Sequence, residues 1–128
     1  MAQDYINRPV RSTAILTNSF VAGTTLENAN NYDQLQVLVQ FTKGSLTSAE
    51  VKVEFSPDNS TFHQETFDSV SGGTNTISLG EHTMTASGNY RIAIPLKDRF
   101  IKISVKGSGT VTNSSMTIDA VLGTTSEI

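Results

Sequence analysis

Apolar residues along this chain recur at every second position almost wherever they recur at all, which is the period of a strand with one face on a core. No stretch shows a convincing helical period. The longest alternation sets Leu35, Val37, Val39 and Phe41 against Gln34, Gln36, Leu38, Gln40 and Thr42 and predicts a strand. Val51, Val53 and Phe55 alternate with Glu50, Lys52 and Glu54. Ser56-Pro57-Asp58-Asn59-Ser60 then supplies turn residues, and Phe62 opens a return strand. With Phe55 opposite Phe62, the register sets Glu54 beside His63 and Lys52 beside Glu65 on an outer face.

Further along, Ile77 and Leu79 mark a short strand, and Thr83 to Thr85 either extends it or begins another after a bend at Gly80. Tyr90, Ile92 and Ile94 alternate up to Pro95, and Ile101, Ile103 and Val105 alternate after it. The two read as a hairpin with Ile94 opposite Ile101, which lines up Arg91, Lys102 and Lys106 as an outer basic stripe. Gly107-Ser108-Gly109 leads to a last strand with Met116, Ile118, Ala120 and Leu122 facing in. Ala14-Ile15-Leu16 and Phe20-Val21 give one or two strands at the front. The sum is about eight strands, and two packed antiparallel sheets bury one face of each. The expected fold is therefore all-β, a two-sheet antiparallel β-sandwich that is jelly-roll-like. The expected organisation is an N-terminal arm over 1–11, one domain over 12–123 and a C-terminal tail over 124–128.

At 128 residues the chain is the size of one domain and can bury a sizeable core. It contains no Cys, which excludes a disulfide framework, thiolate metal sites and a Cys nucleophile. A net charge of −3 argues against a sequence-independent nucleic-acid binder. No apolar run approaches the ~20 residues of a membrane-spanning helix. The N-terminus lacks the apolar core of a signal peptide, so a protein made in the cytoplasm and left unprocessed is expected.

The chain has no G-x-S-x-G elbow, Walker loop, G-x-G-x-x-G or H-E-x-x-H. His63 and His82 are the only His residues, and a lone His without a second ligand reads as a surface residue. Asp58, Asn59 and Ser60 offer oxygen ligands, but turn formation accounts for them and Ca²⁺ needs more. Glu54 and Glu65 resemble a glycosidase pair only in being carboxylates on neighbouring strands, where a solvated face is the plainer reading. Asn59-Ser60-Thr61 and Asn113-Ser114-Ser115 match the glycosylation sequon, as chance allows in so Asn-, Ser- and Thr-rich a chain. No catalytic residue, cofactor or metal is expected, and the chain reads as a non-enzyme. Leu38, Phe67 and Phe100 fall off the inward pattern and are interface candidates. Tyr5, Ile6, Arg8 and Pro9 of the arm offer contacts that order on a partner.

Val51-Lys52-Val53-Glu54-Phe55-Ser56-Pro57-Asp58-Asn59-Ser60-Thr61-Phe62 resembles the strand, S-x-D-x-x-x-(aromatic) turn and return strand of small β-sandwich proteins of tailed-bacteriophage virions. Gly88-Asn89-Tyr90-Arg91-Ile92-Ala93-Ile94-Pro95 and the segment from Phe100 to Val111 are similar to their closing strands. Phe62 stands where Trp is common. The resemblance implies a capsid decoration (cement) protein, often trimeric, that binds the outside of the head through the major capsid protein and stabilises it. Its place would be the virion surface, after synthesis in the host cytoplasm. Tail and head-fibre components are near neighbours. Two other readings compete: a carbohydrate-binding module on the same fold, and a small hydrolase using Glu54 or Glu65. The first suits a sandwich, but the chain has no Trp to stack on a sugar ring.

Overall fold

The computed structural model describes residues 5–28, 32–96 and 98–124, with the side chains at 67–71 and 75–79 outside the description. Twelve strands follow one another: β1 (Tyr5–Ala14), β2 (Val21–Ala22), β3 (Leu26–Glu27), β4 (Gln34–Thr42), β5 (Leu46–Ser56), β6 (His63–Gln64), β7 (Thr66–Ser71), β8 (Thr74–Leu79), β9 (Glu81–Met84), β10 (Gly88–Pro95), β11 (Phe100–Gly109) and β12 (Ser115–Gly123). Among the described residues no helix is long and apolar enough to cross a membrane.

A four-stranded sheet has the order β1-β12-β4-β10, and a six-stranded sheet has β2 and β3 on one side of β11, then β5, then β6 and β9. Since β2 and β3 share one partner and β6 and β9 another, the two sheets hold eight positions along the chain. Numbered by position, the first strand pairs with the eighth, the second with the seventh, the third with the sixth and the fourth with the fifth. That nested pairing is a long hairpin rolled up on itself, the winding of a jelly roll. Strands β7 and β8 form a separate two-stranded hairpin.

The inner faces are those the alternation marks. Leu35, Val37, Val39 and Phe41 of β4, Val51, Val53 and Phe55 of β5, Ile101, Ile103 and Val105 of β11, and Met116, Ile118, Ala120 and Leu122 of β12 are all buried in one core. Tyr90, Ile92 and Ile94 face inward too but are half-buried, because β10 is an edge strand. Between β4 and β5 the chain reverses at Gly44, whose φ is +58°. A Cβ there would run into the Asn113 carbonyl, so the turn requires glycine on both counts.

Several expected pairings are corrected. Strands β10 and β11 are not a hairpin: β10 pairs with β4, Ile94 opposite Leu35, and β11 pairs with β5, Ile101 opposite Phe55. Each thereby gains a long partner, and the chain changes sheet between Pro95 and Phe100. The expected basic stripe dissolves with the hairpin, leaving Arg91 on one sheet and Lys102 and Lys106 on the other. After β5 the return strand is set one residue later than expected, with His63 opposite Phe55 and Gln64 opposite Glu54. The turn itself takes up the extra residue. Asp58 accepts hydrogen bonds from the Ser60 and Thr61 amides at 2.9 and 3.1 Å, and Asn59 turns left-handed at φ 60°. Of the two readings left open after Gly80, the second holds: β9 (Glu81–Met84) is a strand separate from β8.

The expected N-terminal arm is also corrected. Residues 5–11 belong to β1, which runs antiparallel to β12 from Tyr5 opposite Gly123 to Ala14 opposite Met116. Val10 is buried in the core, and the Arg11 Nε–H donates to the Met116 carbonyl at 3.2 Å across a strand irregularity. The expected tail begins at Thr124, and 125–128 lie outside the described residues.

Candidate functional site

The sandwich has two outer faces, and sequence dictates their difference. On the six-stranded sheet, the outward positions of β5 are Ser48, Glu50, Lys52, Glu54 and Ser56, and those of β11 are Phe100, Lys102, Ser104, Lys106 and Ser108. Register sets Glu54 opposite Lys102, Glu50 opposite Lys106 and, on β9, Glu81 opposite Lys52. Each lysine thus faces a carboxylate position across the ladder.

Aromatic rings then cover the lysines. The Lys52 and Lys106 ammonium groups sit 4.5 and 4.9 Å from the centroid of Phe20, and that of Lys102 sits 4.4 Å from Phe62. Glu50 is only 9% exposed, and its carboxylate accepts the hydroxyls of Ser48 at 2.7 Å and Ser108 at 3.0 Å. Ser104, at the centre, is buried. This face spends its polar groups on itself.

The outer face of the four-stranded sheet is different. Its outward positions are Gln34, Gln36, Leu38, Gln40 and Thr42 on β4, Thr117, Asp119 and Val121 on β12, and Asn89, Arg91, Ala93 and Pro95 on β10. On β1 they are Tyr5, Asn7 and Pro9. Asp119 and Arg91 are the charged residues on it, and both flank Leu38 in one row: Pro9, Asp119, Leu38, Arg91. The side chains on the two central strands are half-buried by their neighbours or exposed, and those on the edges are exposed. Between β4 and β10 a shallow groove of about 400 Å³ is lined by Leu38, Val39, Gln40, Asn89, Tyr90 and Arg91.

The interface candidates are distributed between these faces and the interior. Tyr5, 55% exposed, and Leu38, half-buried, share the neutral outer face. Ile6 and Arg8 lie on the inward register of β1, opposite Leu122 and Ala120, and Ile6 packs against the core. The buried Arg8 Nε has no hydrogen-bond partner among the described residues. Phe100 is on the opposite face of the molecule, with the Arg99 guanidinium 5.5 Å from its ring and Arg99 in turn paired with Glu27. The side chain of Phe67, on β7, lies outside the described residues. Phe20, Phe62 and Glu50 are what the sequence reading missed. Their signal was an aromatic just outside each strand, in reach of an outward lysine.

The candidates for chemistry are placed apart. Glu54 lies opposite Gln64, and the Glu65 amide donates to the Val53 carbonyl at 3.0 Å, so the two carboxylates are not directly opposed. The Asp58 carboxyl is held below its ordinary pKa by the Thr61 and Ser60 amides and the Ser56 hydroxyl that bind it. Burial lowers His82, against the opposing pull of the Glu65 carboxylate. Burial also lowers Arg11, whose guanidinium donates to three backbone carbonyls. Among the described residues no group of three His, Asp or Glu side chains is gathered as a metal site. No protein-family model matches the chain, and no curated protein matches it significantly.

Proposed function

We propose that this chain is a structural virion protein, a capsid decoration protein that binds the outside of a tailed-bacteriophage head and stabilises it. The observation that supports this reading best is the broad, nearly uncharged outer face of the four-stranded sheet, carried on a jelly roll whose other outer face is internally satisfied. A lattice-reinforcing protein works through extended contact between neighbours, not through a reacting group. The likeness of residues 51–62, 88–95 and 100–111 to virion sandwich proteins points the same way. Its partner in this reading is the major capsid protein. The trimer implied by the resemblance would need two different patches on each copy, since a three-fold ring is a head-to-tail contact.

The test is to add purified protein to heads assembled without it and to free capsid subunits. Saturable binding to heads, weak binding to subunits and a higher temperature of genome release are the expected results. No affinity for heads overturns the proposal. The groove beside Leu38 supports a second reading, a carbohydrate-binding module, because Gln40, Asn89 and Arg91 present amide and guanidinium donors at its rim. A glycan array with saturable binding that Asn89→Ala abolishes would favour it.

A further inference from the structure

We infer that the outer face of the four-stranded sheet pairs with the same face of a second copy of this chain, about a two-fold axis running along β4. The placement of charge on this face points to that partner. Asp119 of β12 and Arg91 of β10 lie in one row, one strand to either side of Leu38 on β4. They are therefore about 10 Å apart, two strand spacings, with a leucine between them. Neither makes an ion pair within the described protein.

A two-fold axis along β4 exchanges the strands on its two sides. It sets Asp119 of each copy against Arg91 of the other, and Leu38 against Leu38. The same operation brings Val121 to Ala93, and Gln36 and Gln40 each to their own counterparts. A glutamine amide carries both donor and acceptor, so like can pair with like. Every residue on the central strand is thus one that tolerates meeting itself, and the two that would not are placed where each meets its opposite.

The overlap is modest. About an axis on β4 the strands β12, β4 and β10 face their counterparts and β1 overhangs, so with nine-residue central strands, a rise of about 3.3 Å per residue and a strand spacing of about 4.8 Å, the two faces bury roughly 850 Å² together, the size of a weak, reversible interface. The usual crossing of two aligned sheets by about 30° is compatible with the axis. The inference does not rest on the virion reading; both use this face, so pairing must open before a head could bind it, and self-pairing and head binding are measured separately.

The experiment is mass in solution by sedimentation for the full chain and three variants: Arg91→Asp, Asp119→Arg and the double swap. Both side chains are on the outer face, so each variant should keep the wild-type circular dichroism and melting curve. Wild type should weigh twice 13.8 kDa. Each single variant should fall to 13.8 kDa, its pairing weakened by about a hundredfold or more because like charges then meet. An equimolar mixture of the two single variants should return to the paired mass, and the double swap should pair with itself. A wild type that stays monomeric up to about 100 μM overturns the inference, since biologically useful pairing is tighter. So does a trimer, or single variants that associate as well as wild type or fail to associate when mixed.

Discussion

On the six-stranded sheet, Glu50, Lys52, Glu54, Lys102 and Lys106 all point outward, yet each lysine faces Glu50, Glu54 or Glu81 across the ladder and lies under Phe20 or Phe62. On the four-stranded sheet, Gln34, Gln36, Leu38, Gln40 and Val121 point outward, and Arg91 and Asp119 stand two strands apart. The more charged face is therefore the more self-contained, and the nearly neutral face is the one with groups still to satisfy. Charge by itself is a poor guide to where a partner sits. What matters is whether the fold already supplies each group with its complement.

Beneath the contrast, the two inner faces are equivalent, and the largest effects should show it. Ile118→Ala on the four-stranded sheet and Ile103→Ala on the six-stranded one each remove a fully buried side chain. Each should cost about 3 kcal/mol in urea unfolding. A large inequality between them would mean that one sheet, not a shared core, holds the fold. Next comes Glu50→Ala, which deprives two serine hydroxyls of their acceptor and should cost about 2 kcal/mol. Gln36→Ala on the other face should stay within about 0.5 kcal/mol for the monomer. Equal costs would erase the distinction between a self-satisfied face and an open one. Phe20→Ala should cost about 1 kcal/mol through lost cover over Lys52 and Lys106.

The smallest effect is on pH. Burial holds His82 below its ordinary value of 6.5, so as pH falls past that value the unfolded chain takes up a proton before the folded one does. Its contribution to stability is full above 6.5 and declines below it, levelling off once folded His82 is protonated as well. Urea midpoints between about pH 7.5 and 5 should therefore fall less steeply in His82→Gln than in wild type.

Much of this fold was legible because strand alternation is a local property. Leu35 to Phe41, Val51 to Phe55, Ile101 to Val105 and Met116 to Leu122 each declared an inner face, and each is buried. What pairing joins them is not local. Tyr90 to Ile94 and Ile101 to Val105 look like a hairpin because they are adjacent and equally apolar, yet they belong to different sheets and pair there with β4 and β5. Residues 5–11, polar and near a terminus, carried too weak an alternation to reveal a strand whose partner, β12, lies more than a hundred positions away. The candidate face was visible only as Leu38 among glutamines. That Arg91 and Asp119 share its row depends on β10 and β12 both pairing with β4, which no local pattern encodes.

The most direct test of the contrast is hydroxyl-radical footprinting of the wild-type protein at low and high concentration. Leu38 and Val121 should lose reactivity as concentration rises, while Phe20, Phe62 and Phe100 keep theirs. Protection of the phenylalanines instead, or no change at Leu38, would contradict the assignment of the neutral face as the one that binds.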